Sequence, residues 1–170
     1  VVTIADPGRI VSIGGSVTEI LYALEQQQRI VAVDVTSLYP VNALKEKPNV
    51  GYLRQLSPEG VLGLSPTLVL ASEGAGPKEA VAVIEAAAIP FVNVPDRYTG
   101  DGIVEKIKLI AAATGESPRG ECLAKSVEAD LVAMTDMRAA VTRPARVVFI
   151  LSFVNRRAMV AGRNTAAGGI

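Results

Sequence analysis

A length of 170 residues accommodates one complete domain and part of another, and the 17 basic and 17 acidic residues balance, so charge gives no reason to expect a nucleic acid or an anionic membrane surface as a partner. Histidine is absent and cysteine occurs once, at Cys122, which excludes Ser-His-Asp and Cys-His catalysis, thiolate zinc clusters and an internal disulfide. No apolar run approaches the roughly 20 residues that span a bilayer, so we expect a chain that does not span a membrane.

Strand-like and helix-like segments alternate over the first hundred residues. A β-branched run over 9–13 predicts the first strand and ends in two glycines. Ser16, with Glu19 three residues later, is typical of a capping box that opens a helix. A second strand is expected over 29–34, and a loop rich in turn-forming residues follows over 35–56.

The alternation continues after this loop. Ser57 and Pro58 predict a helix N-terminus, with serine as the cap and proline at the first helical position. Near-continuous apolar strands separated by helices favour a parallel sheet covered on both faces. We therefore predict an α/β fold with a Rossmann-like parallel-sheet lobe over 1–115. Its remaining elements are expected to be strands over 67–72 and 90–94 and helices over 78–88 and 102–114.

A long helix is expected beyond this lobe. Ser117 and Pro118 predict its start, and apolar residues at helical spacing continue to about Val141. Strands are then predicted over 146–153 and 157–162. The pattern indicates a bilobal protein with an incomplete second lobe, and a rigid connecting helix argues against large hinge closure. The predicted domains are an N-terminal α/β lobe over 1–115, a long inter-lobe helix over 116–143 and the beginning of a C-terminal α/β lobe over 144–170.

Three stretches of the sequence resemble one family. Residues 9–24 resemble the opening of the helical-backbone substrate-binding proteins that serve bacterial ABC importers of cobalamin, siderophores and haem. Residues 49–70 and 161–167 resemble the haem (hemin) branch. The resemblance implies a protein that captures haem between two lobes and delivers it to an ABC permease without catalysing a reaction. It also implies a monomer in the periplasm whose signal peptide has been removed.

The resemblance assigns a role to Tyr52, because the haem branch places its tyrosine axial ligand at this position of the motif. Tyr52 would then be the ligand of the haem iron. A phenolate is a hard anionic donor and ferric iron is a hard cation, and tyrosine ligation of haem is a known mode. Arg54 is a candidate for stabilising the phenolate or for binding a haem propionate. Apart from the motif, both side chains would be interpreted as solvated loop residues.

Other residues are candidates through their position. Ligands of α/β lobes bind at the carboxyl edge of the sheet, so Gly15 and Ser16 after the first strand and Tyr98 after the fourth are candidates for haem contact. The first two equally suit a tight turn that resembles a phosphate-binding turn but lacks GxGxxG. Glu59 matches the surface glutamate that this family presents to permease arginines. A carboxylate in a first helical turn is also favoured by the helix dipole alone.

Two alternatives to haem capture stay open. The same fold also suits a ferric siderophore or cobalamin, neither of which needs a protein ligand to its metal. A nucleotide-dependent α/β enzyme is the more distant alternative. The missing phosphate-binding motif and the missing histidine argue against it.

Overall fold

The computed structural model describes residue 4 and residues 7–143, 145–162 and 165–169. Among these residues, one 3-10 turn covers Gln27–Arg29. The strands are β1 (Ile10–Ile13), β2 (Ile30–Val33), β3 (Leu68–Ser72), β4 (Phe91–Val94), β5 (Ile150–Val154) and β6 (Arg157–Val160). The helices are α1 (Gly15–Ala23), α2 (Ala43–Glu46), α3 (Pro58–Leu62), α4 (Lys78–Ala86), α5 (Gly100–Thr114), α6 (Ser117–Ala139) and α7 (Ala166–Gly169).

The first four strands form one parallel sheet in the order β2-β1-β3-β4. Strand β1 lies inside the sheet, where Ile10 pairs with Ile30 on one side and with Leu68 on the other. Strand β2 forms one edge of the sheet, and β4, which pairs with β3, forms the other. All the pairings are parallel, so the carboxyl ends of the four strands meet at one edge. The predicted α/β fold with a parallel sheet is confirmed.

Alternating side chains along the strands build a separate core on each face of the sheet. Ile10 and Leu68 belong to the core that α1, α5 and α6 cover. Val11 and Val69, each one residue further along its strand, belong to the core that α3 and α4 cover. Because both faces are buried, the strands need apolar residues at successive positions, which explains their near-continuous hydrophobic runs.

Two of the predicted helix caps are wrong and one is confirmed. Helix α1 begins at Gly15 with Gly14 as its N-cap, and no side chain caps it, so Ser16 and Glu19 form no capping box. A side chain does not fit at Gly14, since a Cβ there would lie 2.2 Å from the Ser72 hydroxyl oxygen. Ser57 caps α3 as predicted, because its hydroxyl accepts from the backbone N–H of Gly60 at 3.2 Å.

Helix α6 also starts differently from the expectation. Ser117 is its first helical residue rather than its cap, and Glu116 is the N-cap without a side-chain hydrogen bond. Gly120 and Ala124 are buried against the lobe, and Leu131 is the last residue of the helix that is not exposed. The second half of α6 therefore projects beyond the lobe that its first half covers.

Strands β5 and β6 form an antiparallel hairpin joined by a turn at Asn155 and Arg156. Strand β5 starts at Ile150, later than the predicted strand over 146–153. Pro144, at the predicted start of the third domain, lies outside the described residues, as do Arg163 and Asn164 of the stretch 161–167. Among the described residues, no helix is both long and apolar enough to cross a membrane.

Candidate functional site

The carboxyl edge of the parallel sheet gathers four connections, one after each strand. Each connection leaves the sheet at the same edge because the strands are parallel. The longest connection runs from β2 through the short helix α2 to α3, and it contains Tyr52. Such edges are the usual binding surfaces of α/β lobes.

The segment 48–56 is fastened to this edge at both ends. Near its start, the Val50 N–H donates to the Val33 carbonyl at 3.0 Å, and the Val35 N–H donates to the Gly51 carbonyl at 2.9 Å. Near its end, the Gly76 N–H donates to the Leu53 carbonyl at 2.8 Å. The segment therefore runs from the end of β2 to the loop after β3, and its backbone is fixed on either side of Tyr52.

Tyr52 combines a fixed backbone with an open side chain. The preceding residue, Gly51, has a φ of 93°, which only glycine adopts readily, and its N–H donates to the Asn49 side-chain carbonyl at 2.7 Å. The Tyr52 carbonyl accepts from the Gln55 N–H at 2.7 Å and closes a turn. The residue is 40% exposed, and within the described part of the chain its hydroxyl makes no hydrogen bond. A phenol oxygen is thus presented at the edge of the sheet.

Arg54 lies in the turn that Tyr52 opens. Its side chain is exposed and makes no ion pair or hydrogen bond with any other described residue. A guanidinium two residues from the phenol is therefore free to bind an anionic group of a ligand.

Glu59 lies in the first turn of α3, which begins at the same edge. The backbone N–H of Glu59 itself, and then the Ser57 hydroxyl at 2.9 Å, hold the pKa of its exposed carboxyl below the ordinary glutamate value. The site therefore carries a stable surface anion beside the Tyr52 segment.

The N-terminus of α1 is already occupied by the chain's own polar groups. The Gly14 N–H donates to the Asp34 carboxylate at 2.9 Å, and the Gly15 N–H donates to the Thr36 hydroxyl at 3.0 Å. A phosphate-binding turn needs these amides free to meet an external anion. The glycine turn thus serves to join two loops of the lobe.

Ser16 takes part in a second polar cluster at this edge. Its hydroxyl accepts from the Lys106 ammonium at 3.1 Å, and the same ammonium donates to Asp96 at 2.5 Å. Lys106 is only 8% exposed, whereas the Asp96 side chain is 35% exposed, so the ion pair is shielded from solvent on the lysine side. This cluster links α1 to the loop after β4, and sequence reasoning missed both Lys106 and Asp96.

Tyr98 lies on the loop after β4, where its side chain is 40% exposed. The next residue, Thr99, caps α5 by accepting from the Gly102 N–H at 3.1 Å. The structure thus places Tyr98 and Tyr52 on the same edge of the sheet, on connections that follow β4 and β2. The edge has no dedicated metal cage, since the described residues contain no group of three or more His, Cys, Asp or Glu able to hold an ion.

Asp34 is the main residue at this edge that the sequence interpretation overlooked. It is completely buried directly after β2 and accepts hydrogen bonds from residues of two loops. An aspartate after a buried strand is a recognisable signal, but it equally suits an ordinary turn.

Solved structures of periplasmic heme-binding proteins are similar to this chain. The solved periplasmic heme-binding protein RhuT from Roseiflexus sp. RS-1 superposes with a TM-score of 0.89 at 42% identity, over 97% of this chain and 65% of that one. A solved periplasmic heme-binding protein from Pseudomonas aeruginosa gives a TM-score of 0.86 at 33% identity, over 96% and 59% of the two chains.

Two curated relatives share shorter stretches. An ABC transporter substrate-binding lipoprotein of Bacillus subtilis, YvrC, is 32% identical over 128 residues, which are 74% of this chain and 40% of that protein. A vitamin B12-binding protein of Yersinia pestis is 34% identical over 83 residues, 49% of this chain and 29% of that protein. The chain thus spans less than two thirds of the length of these relatives.

The model of one family matches nearly the whole chain. It is described as periplasmic binding protein, and its match extends over residues 10–170. The parallel-sheet lobe, the long helix α6 and the similar solved structures agree with that match. The chain belongs to the periplasmic binding protein family.

Proposed function

We propose that this chain binds haem as transported cargo, with Tyr52 as the axial ligand of the iron, and hands it to an ABC permease. The observation that carries the proposal is the exposed Tyr52 phenol, which bonds to no other described residue, on a backbone segment fixed at both ends. The heme-binding proteins that superpose on almost the whole chain support haem as the cargo. The protein acts by capture and release, in the periplasm and as a monomer, and catalyses no reaction.

The chemistry of the edge suits ferric haem. Once deprotonated, the Tyr52 oxygen is a hard anionic ligand for ferric iron, a mode known for haem proteins. Arg54 carries a cation two residues away that pairs with no other described residue, which suits a haem propionate or the bound phenolate. Tyr98, Gly15 and Ser16 lie at the same edge and are the further contacts that we propose.

Cobalamin is the second candidate cargo, because a vitamin B12-binding protein shares 83 aligned residues with this chain. Cobalamin and ferric siderophores carry their own metal ligands, so an open phenol would have no coordinating task in either case. A nucleotide is disfavoured by the α1 N-terminus, whose Gly14 and Gly15 amides already bond to Asp34 and Thr36.

The test is a spectral titration of the 170-residue chain with hemin, cyanocobalamin and a ferric siderophore in parallel. We expect hemin alone to bind tightly and to give a ferric tyrosinate-type spectrum. Tyr52→Phe should abolish that spectrum and weaken binding by at least about a hundredfold, because losing a group that merely orients a ligand already costs roughly 10–100-fold.

Tyr39→Phe is the matched control. Tyr39 lies on the β2–α2 loop and is 67% exposed. The variant therefore also loses an exposed phenol oxygen at the same edge of the sheet. It should retain the wild-type spectrum. A Tyr52→Phe protein that keeps both the spectrum and the affinity would sink the assignment of the ligand. If the chain binds cyanocobalamin tightly and does not bind hemin, cobalamin rather than haem is the cargo.

A further inference from the structure

Asp34 is a completely buried carboxylate at the end of β2 that no role described so far requires. One oxygen, Oδ1, accepts from the Gly14 N–H at 2.9 Å and from the Ser37 hydroxyl at 3.2 Å. The other, Oδ2, accepts from the Thr36 N–H at 3.2 Å, and the Thr36 hydroxyl donates to the carboxylate within 2.9 Å of both oxygens. Burial of such a group is tolerated because both oxygens are satisfied.

These bonds fasten two connections of the carboxyl edge together. Gly14 belongs to the β1–α1 turn, whereas Thr36 and Ser37 belong to the loop after β2. The Thr36 hydroxyl also accepts from the Gly15 N–H at 3.0 Å, and the Ser37 hydroxyl lies 2.7 Å from that of Thr18 in α1. Removing the carboxylate would therefore leave the buried Gly14 and Ser37 donors and the partly buried Thr36 donors without this acceptor, which is costly inside a protein.

The fixed loop in turn holds Tyr52. Val35 lies between Asp34 and Thr36, and its N–H donates to the Gly51 carbonyl at 2.9 Å. That carbonyl belongs to the peptide bond that joins Gly51 to Tyr52, so the hydrogen bond fixes the peptide plane from which Tyr52 departs. The path from carboxylate to phenol thus consists of the Asp34–Thr36 turn and one backbone hydrogen bond.

We propose that Asp34 is a positioning residue for the Tyr52 ligand, because its carboxylate locks the turn whose Val35 amide holds the Gly51–Tyr52 peptide. The proposal rests on the proposed haem ligation by Tyr52. A ligand whose backbone is fixed before binding loses less conformational freedom when it coordinates the iron, so affinity depends on the residues that fix it.

The experiment compares Asp34→Ala and Asp34→Asn with the wild-type chain in two measurements. The first is hydrogen exchange of the Val35 amide without hemin, which reports directly on the bond to Gly51. The second is the hemin affinity and the tyrosinate spectrum. Asparagine keeps the shape but replaces one oxygen by a donor, so its effect should lie between those of wild type and alanine.

Thr114→Ala is the matched control for a loss of buried hydrogen bonds elsewhere in the lobe. Thr114 is 2% exposed at the far end of α5, where its hydroxyl donates to the Ile110 carbonyl at 2.9 Å. Its hydrogen-bond partners among the described residues, Ile110, Ala111 and Arg29, do not belong to the connections at the carboxyl edge. A general loss of stability would affect this variant and the Asp34 variants alike.

We expect faster Val35 exchange in both Asp34 variants and a hemin affinity lowered about 10–100-fold in Asp34→Ala, the range for residues that orient a metal ligand. Thr114→Ala should change neither. Wild-type Val35 protection in both Asp34 variants, or unchanged hemin affinity despite faster exchange, overturns the proposal. If Asp34→Ala does not fold, Val35 exchange and hemin affinity of Asp34→Asn decide the proposal by the same criteria.

The two hypotheses fail in different ways. Absence of a tyrosinate spectrum from the wild-type chain removes the proposed function and, with it, any ligand for Asp34 to position. A wild-type chain that gives the spectrum, with an Asp34→Ala variant that binds hemin as tightly as wild type, removes only the role of Asp34.

Discussion

Glu59 is the surface residue that we predict to contact the permease under the proposed function. Its carboxyl lies at the N-terminus of α3, where its own backbone N–H and the Ser57 hydroxyl lower its pKa. The carboxylate therefore stays charged at a lower pH than an ordinary glutamate does. A persistent exposed anion near the proposed ligand site suits docking to a basic surface of a permease, where complementary charge favours encounter and register.

Glu59→Gln should weaken association with the permease severalfold and leave the hemin spectrum unchanged, because Glu59 itself is exposed and outside the Tyr52 turn. Association is measured with the permease in nanodiscs at low and high salt, since screening should shrink the difference between wild type and variant.

In wild type, acidification should weaken association only when the pH falls through the lowered pKa of Glu59. Ser57→Ala should move that loss to higher pH.

Glu85→Gln provides the comparison for Glu59→Gln. Glu85 is exposed at the C-terminal end of α4, away from the carboxyl edge, and the substitution changes the net charge equally. Equal weakening by both variants would mean that only net charge matters and would remove the docking role of Glu59.

At this scale the sequence could identify candidate side chains but not their partners. Tyr52 was assigned by its motif, and the structure adds that its phenol is exposed. Asp34 was missed because the groups that donate to it belong to residues 14, 36 and 37, and one-dimensional patterns do not reveal that they converge. Lys106 was missed for the same reason, since its partner Ser16 is 90 residues away.

At the scale of elements, the contact between α5 and α6 depends on one glycine. Gly120 is buried, and a Cβ placed on it would lie 2.2 Å from the Cβ of Ala111 in α5. The two helices thus approach more closely than two side chains with Cβ atoms allow. This contact fixes the first half of α6 against the lobe that carries the candidate site.

Gly120→Ala should therefore lower the free energy of unfolding by about 1–3 kcal/mol, the usual cost of overpacking a core. The higher helix propensity of alanine offsets part of this loss. Urea denaturation followed by circular dichroism measures it. At Gly162, no atom of the described residues lies within 4 Å of an added Cβ, so Gly162→Ala should stay within about 0.5 kcal/mol of wild type. A Gly120→Ala protein as stable as wild type would show that the helices separate without cost.

The elements themselves were mostly predictable, whereas their caps were not. Four buried strands and their intervening helices follow from local apolar runs, and Ser57 with Pro58 marked the start of α3 correctly. The start of α1 was misassigned because Ser16 bonds to Lys106, and Gly14 is required by the close approach of Ser72. Such caps are decided by tertiary contacts, and these do not appear in a local sequence pattern.

At the scale of the whole molecule, burial is distributed unevenly along the chain. The parallel sheet has a core on each face, but Ser152 is the only residue of strands β5 and β6 that is not exposed. Large apolar side chains of this hairpin face solvent, with Phe153 at 69% and Met159 at 62% exposure. A two-stranded hairpin without a packed face is marginally stable in water.

Hydrogen exchange should therefore separate the chain into two parts. Amides of β1 and β3 should exchange only through global unfolding of the lobe, whereas those of β5 and β6 should exchange orders of magnitude faster through local opening. A chain shortened to residues 1–141 should accordingly retain the thermal transition of the lobe, because the predicted boundary near residue 143 separates off elements without a buried core. Equal protection of β3 and β5 in the 170-residue chain would contradict this division. If the division holds, segment 48–56 keeps its fixed backbone without the hairpin, since its hydrogen-bond partners among the described residues lie between residues 33 and 76.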